Sequence, residues 1–390
     1  MLGKGYGLGR YVEQLIENVV CRDSANRYVL FVQEEEYRKR ETGNGKRDSL
    51  LFVLAHIPWY SWQEQVLFPR ILKKEKIDFM HFPHWNVPLL YRKPFVMTVH
   101  DLTMFHFPRP EATTLGPLKF WIKDRAHRIV LRSACRRARK IITTSEFTKQ
   151  DLHNTLGVPY EKMETVYQAP FQNEECGMSR LSGILTPLDG VRPNGGPHTA
   201  GKNEELLLYD IVPQKPYVLY VGAAYPHKNV ERLIEAWTLV EEAHPDEFQL
   251  VLAGREDSFW ERRQSAIHDH QSIKYLGLVS DVQLLELYTN ARLFVFPSLY
   301  EGFGLPPLEA MVHGVPVVSS NSSCLPEVLG EGALYFDPTD IEDMAKKMSL
   351  GLTNEDICFV LRQNAKHEVA KFSREQFGEQ TLQIYRSVIS

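Results

Sequence analysis

The chain has 390 residues, 43% apolar and 24% charged, with a net charge of −4; this is globular composition with room for two domains of about 100–200 residues, and it excludes disordered, collagen-like and coiled-coil classes. The longest apolar stretch, Leu50 to Ile57, is broken by His56 and falls far short of the roughly 18 residues that span a bilayer. Charge is uneven: residues 1–170 carry 27 Lys+Arg against 18 Asp+Glu (+9), the rest 18 against 31 (−13), so the first half suits an anionic surface.

The chain opens on GKGYGLGR, which reads as a glycine turn with Gly7 and Gly9 nearest any phosphate or sugar and a helix from Tyr11. As a dinucleotide fingerprint it is weak, because no strand precedes it and no acidic residue ends the next predicted strand. The first strand of a doubly wound sheet is central. The reading therefore expects either a polypeptide that begins upstream of Met1 or a compromised first domain. The opening residues also lack the apolar stretch of a secretory signal, and no translocation is expected.

Predicted strands follow at Arg27–Val32, Ser49–Ala55, Ile77–Phe82, Pro94–Val99 and Arg139–Thr144, separated by helical or loop segments in the rhythm of a parallel α/β sheet. His81, His84 and Asn86, in MHFPHWN, sit at a strand end on the expected acceptor side. His100 and Asp101, in TVHD, end the next strand, at the edge where open α/β sheets bind ligands. From Lys119 to Lys140 there are nine Lys+Arg and one acid, interleaved with Phe120, Trp121 and Ile129. This segment suits an anionic membrane surface, the alternative being a packed helix with one solvated face. No recognised nucleic-acid module accompanies the charge, so nucleic acid is not expected as a partner.

Residues 171–213 are rich in Gly, Pro and polar side chains and read as a mobile linker. The α/β rhythm resumes with strands at Tyr217–Val221, Gln249–Ala253, Ile273–Leu276, Leu293–Pro297 and Val315–Ser319. The boundaries are thus 1–170, 171–213, 214–372, and a last helix over 373–390 expected to cross back to the first domain. In YVGAAYPHKN the strand ends at Gly222, on the expected donor side, and Lys228 stands at the next helix start, where a cation can pair with a diphosphate. In EGFGLPPLE a glycine turn enters a helix whose first amides can meet an anion. Glu301 and Glu309, with seven residues between them, could both face one cleft and accept the vicinal hydroxyls of a ribose or sugar. The plainer alternative has Glu301 as a helix cap and Glu309 solvated. The five cysteines are scattered without CxxC spacing, which fits a reducing compartment.

EGFGLPPLE, with GLGR, YVGAAYPHKN, LVLAG and GLVSDVQLLELYTNA, resembles retaining glycosyltransferases of family 4, whose GT-B fold is two facing Rossmann-like domains. The resemblance spans most of the chain. It implies that Glu309 holds the donor ribose, that Glu301 contacts the transferred sugar, and that the amides of Phe303, Gly304 and Leu305 lie beside the donor. It further makes Lys228 a donor-phosphate ligand and His100 a contact of the reacting sugar's hydroxyls, needed for transfer. Relatives often carry an arginine shortly after the glycine that corresponds to Gly222, where this chain has Ala223 and Ala224; Arg255, in LAGRED, is the residue expected to supply that charge.

The sequence thus predicts a retaining transferase that moves a sugar from a nucleotide diphosphate-sugar, with a lean to GDP-mannose, to a hydroxyl of a glycan or lipid-linked acceptor. It is expected to act in cell-surface polysaccharide or glycoconjugate synthesis, in the cytoplasm at the inner membrane face. No cofactor is expected, and no metal, since no Asp-x-Asp occurs. Two rivals stand beside this reading: a nucleotide-sugar epimerase or hydrolase on the same fold, and a non-catalytic binding partner.

Overall fold

The structure, a computed structural model, describes residues 7–34, 37, 49–57, 61–108, 116–170 and 211–389. Gly3 to Tyr6 of the glycine segment and nearly all of the expected linker lie outside these residues. Helix α1 (Gly7–Val20) buries Tyr11, Val12, Leu15, Ile16 and Val19 along one stripe. Gly7 and Gly9 belong to its first turn, not to a turn before it, which corrects the reading of a helix starting at Tyr11. A first turn has few intrahelical N–H bonds to make, so glycine is tolerated there.

Among the described residues, ten strands are found at the ten expected positions, and two more are present. Strands β1 (Tyr28–Val32) and β2 (Leu50–Leu54) form a parallel pair. Strands β3 (Met80–Phe82), β4 (Phe95–Val99), β5 (Lys140–Thr143) and β6 (Met163–Thr165) form a parallel sheet in that order. Around them lie α2 (Trp62–Lys74), the basic helix α3 (Gly116–Arg137) and α4 (Glu146–Leu156). The second half is a six-stranded parallel sheet, ordered β12-β11-β10-β7-β8-β9. Its members are β7 (Tyr217–Val221), β8 (Gln249–Ala253), β9 (Ile273–Gly277), β10 (Leu293–Phe296), β11 (Val317–Ser320) and β12 (Ala333–Phe336). The unanticipated β6 (MET) has one apolar residue in three, so no apolar run marks it; β12 (ALYF) is apolar but buried only at its two ends.

Burial explains why these segments are strands: β4 (FVMTV) and β10 (LFVF) are buried at every position, as parallel strands covered on both faces require. Helices α5 (Val230–Ala243), α6 (Asp281–Asn290), α7 (Leu305–Val312), α8 (Leu325–Leu329), α9 (Ile341–Thr353) and α10 (Glu355–Val369) surround the second sheet. The last helix, α11 (Arg374–Ile389), packs on α1 of the first half, with Phe377 and Tyr385 in one cluster with Tyr11 and Ile16. Gly378 permits that approach, since a Cβ there would lie 2.5 Å from the Asn18 carbonyl oxygen.

Among the described residues no strand precedes α1, and β1–β2 are not paired with β3–β6. Between β1 and β3 lies a cavity of about 690 Å³, lined by Leu30, Met80, Ile16 and Tyr385 among others. In the second sheet the strand order reverses between β7 and β10, the switch point at which open α/β sheets leave a crevice beyond the strands' carboxyl ends.

Candidate active site

The loops leaving β7 and β10 flank that switch point, and backbone conformation fixes both. After β7, a short 3-10 turn (Pro226–Lys228) ends at Asn229, which adopts a left-handed conformation (φ 60°) before α5. The Asn229 side-chain amide donates to the carbonyls of Pro297 (3.1 Å) and Pro338 (2.7 Å), and Leu299 N–H donates to the His227 carbonyl (2.8 Å). These bonds tie the two loops together and bring Lys228 Nζ to 2.5 Å from Glu301 Oε1. Glu301 is therefore not the helix cap that the plainer sequence reading allowed. The N-cap of α7 is Gly304, at φ 90°, and no side chain caps it. Only glycine takes that backbone angle without strain, and a Cβ there would also meet Leu325 at 2.8 Å. Pro306 and Pro307 have no N–H, so the donors at this helix start are concentrated at Phe303, Gly304 and Leu305.

Glu309 is buried, with 4% of its surface exposed, so the solvated alternative is excluded. Its Oε1 accepts from Arg10 Nη1 (2.9 Å) and its Oε2 from the Tyr288 hydroxyl (3.2 Å). Burial pushes its carboxyl above the usual carboxylate range, and Arg10 and the Tyr288 hydroxyl act against that shift. Arg10 also donates to Asp281 Oδ1 (2.7 Å) at the start of α6.

The first half meets this site through His100. A Cβ on Gly302 would lie 1.9 Å from the His100 carbonyl oxygen, so the loop carrying Glu301 rests directly on the end of β4. The Gly302 carbonyl accepts from Ser145 Oγ (2.7 Å) and Thr144 Oγ1 (3.0 Å). The Tyr300 hydroxyl accepts from Leu102 N–H at 3.0 Å and donates to Asp151 at 2.5 Å. The Glu327 carboxylate accepts the first two amides of α4, Glu146 and Phe147, at 2.7 and 2.8 Å, and the Tyr167 hydroxyl at 3.0 Å. The His100 ring stands edge-on to Tyr11 at 4.6 Å. Its Nε2 bonds the Pro83 carbonyl at 2.9 Å; since a carbonyl only accepts, the proton is on Nε2 and Nδ1 is an acceptor. Burial, opposed by the Pro83 carbonyl and Asp101, holds this imidazole below its ordinary range, which favours the neutral ring.

The other residues singled out in the sequence fall as follows. Gly222 closes β7, its N–H donating to the Ala253 carbonyl, and a Cβ there would meet the Tyr220 hydroxyl at 2.8 Å. Arg255 is exposed in the loop after β8, and no ion pair involves it among the described residues. Asp101 caps a short turn, accepting from Thr103 N–H at 2.8 Å. Asn86 donates to Glu64 Oε2 at 2.6 Å, and His84 stacks near Trp85 at 4.7 Å; burial pushes the His84 imidazole down to about 3. His81 is a half-buried bridge between Thr98 Oγ1 (2.8 Å) and the Tyr385 hydroxyl (2.5 Å). Sequence reasoning missed Arg10, Asp281, Tyr288, Tyr300 and Glu327; the GLGR motif contains Arg10 and GLVSDVQLLELYTNA contains Asp281 and Tyr288, but neither spacing singled these residues out.

Two parallel α/β units meeting at a cleft, with an anion-ready helix start, a lysine and two carboxylates at one switch point, define a glycosyltransferase of the GT-B architecture. The family models agree: residues 6–169 match "Glycosyltransferase Family 4" and residues 209–368 match "Glycosyl transferases group 1". The chain belongs to this glycosyltransferase family. It is 27% identical to the O-antigen chain mannosyltransferase B of Escherichia coli, over 97% of this chain and 96% of that protein. It is 26% identical to the O-antigen chain mannosyltransferase RfbU of Salmonella typhimurium, over 74% and 68%. Among solved structures, the Anabaena protein HepE in complex with UDP and glucose has the same fold, with a TM-score of 0.68 at 16% identity over 99% of this chain and 97% of that one.

Proposed function

We propose that this glycosyltransferase is a retaining, metal-independent enzyme that transfers a hexose, with mannose favoured, from a nucleotide diphosphate donor to a hydroxyl of a glycan or lipid-linked acceptor during cell-surface polysaccharide synthesis. The observation that carries this reading is the 2.5 Å pairing of Lys228 with Glu301 beside the left-handed Gly304, where α7 begins. A diphosphate there meets Lys228 and the amides of Gly304 and Leu305 at the moment its bond to the sugar breaks. Preorganised donors of this kind supply several kcal/mol to a transition state. Glu309 accepts the ribose hydroxyls, Glu301 the hydroxyls of the sugar, and His100 Nδ1 a further hydroxyl. The acceptor oxygen bonds to the anomeric carbon on the face the diphosphate leaves, and the acceptor's proton passes to a diphosphate oxygen, so configuration is kept without a protein nucleophile. The two O-antigen mannosyltransferase relatives support the choice of mannose and of polysaccharide, and GDP is the nucleotide expected with it.

The acceptor's lipid is reached through the first half. On α3, Trp121, Ile122 and Ile129 are each more than half exposed, and Arg125 lies over the Trp121 ring at 5.3 Å. Exposed apolar side chains among cations fit an anionic bilayer surface. No helix among the described residues is long and apolar enough to cross a membrane, so contact is peripheral.

The test is a thermal-shift panel of UDP-, GDP-, dTDP- and ADP-sugars, because a ligand selective for the native state raises its melting temperature. A GDP-sugar is expected to give the largest shift, and Glu309→Ala to abolish it. Shifts that are equal across the panel, or undiminished in the variant, overturn the donor assignment.

A further inference from the structure

The two carboxylates of the site are neutralised in different ways. Glu301 finds its cation, Lys228, within its own half of the molecule. Glu309 finds its cation in the other half: Arg10 projects from the end of the first turn of α1, and α1 is packed with α11 in the first half's core. One guanidinium fork spans the gap, with Nη1 on Glu309 of α7 and Nη2 on Asp281 of α6. Only a fifth of the Arg10 side chain is exposed, and Glu309 is nearly fully enclosed, whereas Asp281 is half exposed. The strongly enclosed partner is thus the one for which the arginine matters most.

We propose that Arg10 is a positioning residue for the nucleotide: from across the cleft it holds Glu309 as an ionised carboxylate aimed to accept the donor's vicinal hydroxyls. Tight nucleotide binding is then conditional on the two halves meeting. The proposal rests on the reading that Glu309 binds ribose.

Stereochemical capacity permits this role. A carboxylate offers about four acceptor positions; Arg10 and Tyr288 use one on each oxygen, which leaves two for a diol. Protonation would convert one oxygen to a donor and spoil that pattern. Among the described residues, the groups that face Glu309 are Arg10 from α1, Tyr288 and Asp281 from α6, and His313 on α7, whose ring stacks on Tyr288 at 5.5 Å. Arg10 is the one permanent cation among them. Without it, burial and the like charge of Asp281 both favour the protonated acid. A sequence reading could not have found this, because Arg10 and Glu309 are 299 positions apart.

The experiment measures dissociation constants by calorimetry for GDP, UDP, ADP and dTDP, and carries the tightest binder through pH 6.0 to 8.5. It compares the wild type with Arg10→Gln, Arg10→Lys and Glu309→Gln. Ratios to wild type at each pH cancel the titration of the nucleotide's own phosphate. Arg10→Gln is expected to bind at least tenfold more weakly at pH 6.0, with the defect shrinking towards pH 8.5 as Glu309 ionises. Arg10→Lys, which keeps charge but loses the fork, is expected to be weaker by a few-fold with a ratio that does not vary with pH. Glu309→Gln, which cannot ionise, is expected to be weak at every pH. If Arg10→Gln gives a ratio near one throughout, or binds more tightly than wild type, the positioning role is refuted while a weak Glu309→Gln preserves the ribose assignment. If Glu309→Gln binds normally, it is the ribose assignment that fails. Should Arg10→Gln not fold, as judged by its melting curve, Arg10→Lys decides: a ratio indistinguishable from one then refutes the proposal.

Discussion

Replacing Gly302 by alanine tests the closure of the two halves directly. The added Cβ would sit 1.9 Å from the His100 carbonyl oxygen, 2.8 Å from its carbon and 2.9 Å from Asp101 Cβ. These neighbours are mainly backbone at the end of a fully buried strand and cannot swing aside, so the loop of residues 300–304 must lift off the first half. Lifting removes the hydrogen bonds from Ser145 and Thr144 to the Gly302 carbonyl. At about 1 kcal/mol net each, the two together shift the closure equilibrium by about 2 kcal/mol, a factor of roughly 30. Opening also draws Arg10 of the first half away from Glu309, so donor affinity should fall together with turnover. The expected result for Gly302→Ala is a loss of kcat of up to about 30-fold, with a dissociation constant for the donor analogue that rises as well. Small-angle scattering with nucleotide bound should show a larger radius of gyration than wild type. A variant that keeps both kcat and donor affinity within twofold of wild type refutes the view that this glycine exists to seat the two halves together.

Two further outcomes follow from the same geometry. Lys228→Ala removes the cation beside the leaving diphosphate and leaves Glu301 without its partner, so kcat should drop about 10²–10³-fold, with Lys228→Arg recovering part of it; steady-state kinetics showing less than a threefold loss would remove lysine from the catalytic scheme. Stability should fall on the acid side, because burial holds the His81 and His84 imidazoles at about 3, far below their ordinary 6.5. The unfolded chain then takes up protons that the native state refuses. Their contribution is complete above pH 6.5 and is lost as pH falls from there towards 3, at up to about 1.4 kcal/mol per unit for each group. Denaturant melts at pH 7 and pH 5 should show this decline, and a weaker one in His81→Gln; equal slopes for the two proteins would show that His81 is not held neutral.

Local pattern was enough to read a good deal of this molecule. Short apolar runs with interleaved helices marked ten of the strands, since a parallel strand covered on both faces must be apolar throughout, as in β4 and β10. The EGFGLPPLE segment likewise announced a helix start with exposed amides, because glycine and proline report backbone conformation directly. Strand β6, MET, escaped because only one of its three residues is apolar, and β12 escaped with it.

What the sequence determined by itself was the class of chemistry: paired carboxylates, a lysine and a glycine-led helix start, each readable within a few tens of residues. Only the tertiary structure decided how those groups are paired. Lys228 and Glu301 meet because Asn229 ties two loops together, Glu309 takes its counter-charge from Arg10, and Glu327 of α8 receives the first amides of α4. Such pairings depend on distance in space and on exclusion of water, and neither leaves a period or a spacing along the chain.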